Sequence, residues 1–133
     1  MYESRNTRIA RRCLGSGEPI ATSAARKLDK ALLATGFPYD HRENADFYLS
    51  YFKAFMTQCQ GIRRGGSAAL ELSYVACGRL DGCWEMKLKP WDTAAGSLIV
   101  SEAGGKLSDF SGKPFRFGAV KHWPLTSAFM AKW

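Results

Sequence analysis

The sequence predicts an α/β layer fold, a mixed sheet flanked by helices. Three observations carry that expectation. Apolar residues recur at spacings of three and four in three separate stretches, the mark of helices that bury one face. Between them lie apolar runs too short for helices and long enough for buried strands. Glycine and proline punctuate the junctions. Helix, strand, helix, strand in succession is the order of an α/β layer fold.

Each element has its own signal. Gly15-Ser16-Gly17-Glu18-Pro19 is a turn cluster. Ser23 is placed to cap a short helix through Ala24, Ala25, Arg26 and Leu28. Ala31-Leu32-Leu33-Ala34-Thr35, ended by Gly36 and Pro38, suits a buried strand. Asn44 offers an N-cap, and Tyr48, Phe52, Phe55, Met56 and Cys59 then form one apolar face of a helix ending near Gly61. Ser67 opens a second helix with Ala68, Ala69, Leu72, Val75 and Ala76 inward and Gly78 as its stop. Asp81-Gly82 signals a tight turn. Cys83-Trp84-Glu85-Met86 reads as a strand that Lys89-Pro90 breaks. Trp91-Asp92, with Trp91 most simply in the core, leads into a third helix over 93–103. Its inward residues are expected to be Ala94, Ala95, Leu98 and Ile99. Gly104-Gly105 end it, and the run from Lys106 to Phe110 is a last strand closed by Ser111-Gly112. There is no internal repeat and no linker that divides the chain.

The 133 residues amount to one small domain. With 46% hydrophobic and 23% charged residues, wholesale disorder is excluded. No apolar run approaches the roughly 18 residues of a membrane span. The N-terminal residues have no apolar stretch behind them and do not read as a secretory signal. Cytoplasmic residence is the default expectation. Cys13, Cys59, Cys77 and Cys83 form no C-x-x-C pair, and Cys77 and Cys83 have five residues between them, against the two to four usual for a zinc ligand pair. Reduced thiols packed as small apolar residues are expected.

The net charge of +7 invites a nucleic-acid reading, and its distribution argues against one. Residues 1–30 hold seven Lys/Arg against three Asp/Glu, and residues 116–133 hold three Lys/Arg and no acid. The stretch between is neutral, with nine of each. A nucleic-acid module carries its basic stripe on the folded body.

Two stretches carry a resemblance. One is Gly61-Ile62-Arg63-Arg64-Gly65-Gly66-Ser67-Ala68-Ala69-Leu70-Glu71-Leu72, continuing through Val75-Ala76-Cys77-Gly78-Arg79-Leu80-Asp81-Gly82. The other is Trp84-Glu85, Lys89-Pro90-Trp91-Asp92-Thr93-Ala94-Ala95-Gly96 and Glu102-Ala103-Gly104-Gly105. In this order and spacing the chain resembles the C-terminal half of the inositol monophosphatase family, over roughly residues 14–115. The run Leu33 to Asp40, L-A-T-G-F-P-Y-D, also resembles family members. The resemblance implies a layered α/β sugar-phosphatase fold and hydrolysis of a small polyol or sugar phosphate, with Mg2+ activating a water and stabilising the leaving alkoxide. It further implies a homodimeric parent enzyme. The neighbouring segments, 1–13 and 116–133, are Arg-rich or unlike the family and read as atypical basic ends.

By the same resemblance Asp92 is a magnesium ligand; read by itself it is also a helix cap, and the two roles are compatible. Glu85 is expected to accept from a substrate hydroxyl, with a solvated strand position as the bland alternative. Gly66, Ser67 and Ala68 sit at a helix start, where free N–H groups suit a polar ligand; the alternative is a plain Ser67 cap. Arg63 and Arg64 either pair with phosphate or lie exposed. The G-E-E-type and D-P-x-D-G-T-type acidic motifs of the family do not occur. The isolated chain is therefore expected to lack magnesium-dependent phosphatase activity. Two further readings stand beside this one. One is a non-catalytic module that binds a polyol phosphate or a partner polypeptide. The other, a basic nucleic-acid binder, is disfavoured by the neutral middle.

Overall fold

The computed structural model describes residues 14–15, 18–115 and 128–132. The segment 1–13, with Cys13, and most of 116–133, with His122, lie outside the described residues. The elements run β1 (Leu14–Gly15), β2 (Glu18–Pro19), a 3-10 turn (Leu28–Lys30), β3 (Leu32–Thr35), α1 (Ala45–Met56), β4 (Gly61–Arg63), α2 (Ala68–Ala76), β5 (Gly82–Met86), α3 (Pro90–Glu102), β6 (Lys106–Ser108) and β7 (Ala128–Lys132). β1 and β2 pair antiparallel, Leu14 with Pro19 and Gly15 with Glu18. The other five strands form one mixed sheet in the order β4-β3-β5-β7-β6. β3 is parallel to β4 and to β5, whereas β7 runs antiparallel to β5 and β6. The sheet with helices on both faces is the expected α/β fold.

Alternation along the strands sorts the core onto two faces. Ala34 of β3 and Cys83 of β5 point to α2 and α3, where they pack with Leu72, Val75, Ala76, Leu80 and Val100. Leu33 and Trp84, one residue over, point the other way and meet Phe52 and Phe55 of α1. α2 and α3 approach closely because Gly96 has no side chain: a Cβ there would lie 2.5 Å from Leu72 Cδ1.

Several expectations are corrected. Ala24–Leu28 does not form a helix beyond the 3-10 turn at Leu28–Lys30. Ser23 instead donates to Asp81, and Asp81 also accepts from Leu32 N at 2.6 Å. These bonds tie the segment to the sheet, and they turn the expected Asp81-Gly82 hairpin signal into the entry to a parallel strand. β4 was expected as helix end, but its three residues add a parallel edge to β3. Asn44 occupies the N-cap of α1 without capping it; its amide donates to Asp40 at 2.9 Å. α3 begins at Pro90, three residues early, since proline is preorganised for a first helical position. Its buried face is Thr93, Gly96, Ser97 and Val100, while Ala94, Ala95 and Leu98 are exposed. Trp91 is 77% exposed and Met56 55%, so neither belongs to the core. Of the expected inner face of α2, Ala69 is exposed, whereas Leu72, Val75 and Ala76 are buried. Among the described residues no helix is long and apolar enough to cross a membrane.

Candidate functional site

Three parallel strands end on the same edge of the sheet. β3 runs out at Thr35 into Gly36, β4 at Arg63 into the Arg64–Ser67 turn, and β5 at Met86 into the connection to α3. Ligands of α/β sheets gather at this carboxyl edge, where loops are free to carry polar groups. Glu85, the Gly65–Ala68 turn and Asp92 fall at this edge.

Glu85 shares the side of β5 that Cys83 occupies, facing α2 and α3. Its carboxyl lies over Gly36: a Cβ at that position would sit 2.3 Å from Glu85 Oε2. A side chain at position 36 would displace the Glu85 carboxyl from this place. Burial, and then the nearby Glu71 carboxylate, push the Glu85 carboxyl up to about 8, with Asp92 adding to the effect and Arg64 opposing it. Glu85 is half-buried, and a carboxyl so displaced holds its proton over much of the neutral range.

Ser67 caps α2, its Oγ accepting from Leu70 N at 3.4 Å. Gly66 adopts φ of +86°, the left-handed conformation that favours glycine. The turn is held by a residue that sequence reasoning passed over. Glu71 is 3% exposed on α2, and its Oε1 accepts from Gly65 N at 2.8 Å and Gly66 N at 3.3 Å. Two of the turn's N–H groups are thus already engaged. Glu71 sits inside the quoted motif, and a charged residue within the otherwise apolar run Ala68–Leu72 was the available signal.

Asp92 stands at the third position of α3, and its Oδ2 accepts from Lys89 N at 2.9 Å. The capping role is therefore present, and Oδ1 remains for another partner. Arg63 and Arg64 are exposed. Behind the site, Lys87 holds φ of +55° and pairs with Asp40, which also accepts from Tyr48 Oη at 2.9 Å. The Lys87 hydrogen bond is the chief reason the Asp40 carboxyl lies below the usual range. This cluster fixes the turn after Gly36 to the end of β5.

Magnesium requires near-octahedral oxygen ligation. Among the described residues no three His, Cys, Asp or Glu side chains converge closely enough to hold a metal ion. Glu85 and Asp92 influence each other through space without forming such a set. The described residues do not fit a magnesium site by themselves.

Residues 4–126 match the model of the inositol monophosphatase family, a span that passes both bounds of the motif-bearing stretch. Nus factor SuhB of Escherichia coli (strain K12) is 50% identical over 97 residues, covering 73% of this chain and 36% of that protein. Inositol-1-monophosphatase of Synechocystis sp. is 50% identical over 96 residues, covering 72% of this chain and 33% of that protein. The solved inositol monophosphatase from Anabaena (Nostoc) sp. superposes with a TM-score of 0.76 at 42% identity, over 86% of this chain and 43% of that one. The chain thus spans about a third of the length of the curated relatives it matches.

Proposed function

This chain belongs to the inositol monophosphatase family, and from that premise we propose that it supplies the polyol-binding and part of the metal-binding wall of a Mg2+-dependent phosphomonoesterase. The substrate class is a small polyol or sugar phosphate. Asp92 ligates one metal ion through the oxygen its helix cap leaves over. Glu85 meets a hydroxyl of the polyol ring. Gly66, Ser67 and Ala68 contact the ring from the start of α2. The observation that carries the reading is convergence: Gly36, the Gly65–Ser67 turn, Glu85 and Asp92 lie at the carboxyl ends of three parallel strands, on one face.

The same reading makes the 133-residue chain catalytically silent. Among the described residues no set of carboxylates converges on a metal, and the acidic motifs absent from the sequence would be supplied by another polypeptide segment. With inositol 1-phosphate and Mg2+, the chain should release no phosphate above background. Adding a polypeptide that carries the G-E-E-type and D-P-x-D-G-T-type motifs should restore turnover, and Asp92→Asn should abolish it again. Robust release by the chain alone, lost in Asp92→Asn, overturns the claim of silence. Failure of every complementing segment, with the wall folded, overturns the enzymatic reading.

A second reading has one observation in its favour. Relatives at 50% identity bear the name Nus factor SuhB. On this reading the chain is an interaction module, and Asp92→Asn leaves its partner binding unchanged.

A further inference from the structure

An anion is the usual ligand of a helix start, because the unpaired N–H groups there converge on negative charge. The start of α2 is built that way, and part of it is already filled from within. Gly65 and Gly66, the latter at φ of +86°, turn their successive N–H groups onto one oxygen, Glu71 Oε1, at 2.8 and 3.3 Å. Successive N–H groups aimed at one point make a concavity that binds anions. Here its occupant is the chain's own carboxylate. Leu70 N is engaged as well, by Ser67 Oγ. Helix geometry leaves over the N–H groups of Ser67, Ala68 and Ala69. Gly65, Gly66 and Ser67 are exposed, so a ligand reaches the turn, whereas Glu71 is buried. Its second oxygen, Oε2, is buried without a hydrogen-bond partner, so no donor among the described residues offsets the negative charge from that side.

We infer that Glu71 is a specificity-determining residue: as an internal anion it fills the anion seat at the start of α2, so that this wall accepts a neutral hydroxyl and refuses a phosphate. Two effects act together. The N–H groups of Gly65 and Gly66 are engaged by Oε1 and cannot serve an incoming anion. A buried like charge, poorly screened by water, repels an anion that approaches Ser67–Ala69. Arg64 works the other way: its Nη1 lies 3.1 Å from where a Cβ on Gly66 would stand. That side chain is exposed and screened by solvent, and it does not replace the two engaged N–H groups. A hydroxyl meets no such penalty, since it accepts from the remaining N–H groups and carries no charge. The substrate therefore turns a neutral, hydroxylated end to α2 and keeps its phosphate away from it. A ring with a second phosphate at that end is excluded. This orientation of the substrate rests on the proposed ring contact; the refusal of anions does not.

Nitrogen-15 NMR of the full 133-residue chain, at neutral pH and constant ionic strength, tests this with sulfate and with myo-inositol. The readout is the amide signals of Ser67, Ala68 and Ala69. In the unaltered chain sulfate should leave them unmoved, and the amides of Gly65 and Gly66 should exchange slowly with solvent. Glu71→Gln keeps an oxygen to accept from the turn and removes the charge. Sulfate should then bind at least about tenfold more tightly than to the unaltered chain. A role in packing alone gives no gain of anion binding. Sulfate that shifts the three amides equally in both chains overturns the inference, and so does a folded Glu71→Gln chain that still refuses it. If Glu71→Gln does not fold, the unaltered chain decides. Fast exchange at Gly65 and Gly66, or sulfate bound at Ser67–Ala69, then overturns the inference; slow exchange with no sulfate bound there supports it. Should the sulfate contrast hold while myo-inositol moves none of the three amides, the ring contact fails and the refusal of anions stands.

Discussion

The two faces of the sheet are packed by different means. Toward α1 the contacts are between rings: Trp84 stacks on Phe55 with centroids 4.3 Å apart, and Phe52 leans on the same indole at 6.5 Å. Toward α2 and α3 the contacts are between small residues and branched chains, with Gly96 against Leu72, Gly105 against Val100, and Val100 wholly buried. Large rings span a gap and leave α1 with Phe47, Leu49 and Met56 partly in solvent. Small residues bring backbones together and leave no slack. Glu71 of α2 and Glu85 of β5 sit on the tight face.

The comparison can be broken first at its largest side chain. Trp84→Ala should destabilise the fold by about 3–5 kcal/mol in denaturant melts, because the indole is the keystone of the ring face. A loss below ~1 kcal/mol would mean that α1 is not held by its rings. Next, Gly96→Val should cost about 1–3 kcal/mol by overpacking against Leu72. A truncation on the ring face, Phe52→Leu, should cost less, and a reversal of that order would undo the contrast. Gly66→Ala forces a side chain into a left-handed turn and should cost about 1–2 kcal/mol, read by thermal melting. If the tight face matters for the site, the same variant should also shift the Glu85 titration.

A pH effect sharpens the contrast further. The Glu85 carboxyl is raised in the folded state from 4.5 to about 8. The fold therefore holds a proton that the unfolded chain releases between those values. Stability from this group is complete below pH 4.5, declines as pH rises, and is gone above about 8. Melting temperature should fall across that window, and Glu85→Gln should flatten the slope. The smallest effect is expected at Lys87→Gly. Loss of the pair with Asp40 is offset by relief of a left-handed lysine, so calorimetry should show little net change. A large drop would mean that the Asp40 cluster carries the loop after Gly36.

Much of the fold is legible in residue order. The three-and-four spacing of Tyr48, Phe52 and Phe55 gives α1, and Ser67 and Gly78 bound α2, with Ser67 capping and Gly78 in a left-handed conformation as its stop. The phase of α3 is not legible. Its composition is nearly uniform in small and apolar residues, so no sequence pattern distinguishes Leu98, which is exposed, from Val100, which is not. Trp91 reads as core from its chemistry alone, and only the position of the helix turns it outward. β4 is invisible because three residues are too few to show a period.

The candidate site divides the same way. The resemblance that residue order carries implies one constellation of Asp92, Glu85 and the Gly66–Ala68 turn. It also sets the sheet faces, since strand alternation is a property of the chain itself. Residue order does not disclose that Glu71 belongs with them or that the Glu85 carboxyl lies over Gly36. Those facts depend on which groups meet across the carboxyl edge of the sheet and how far water is excluded there. Proximity and desolvation arise only when distant segments pack, and together they decide which carboxyl keeps its proton.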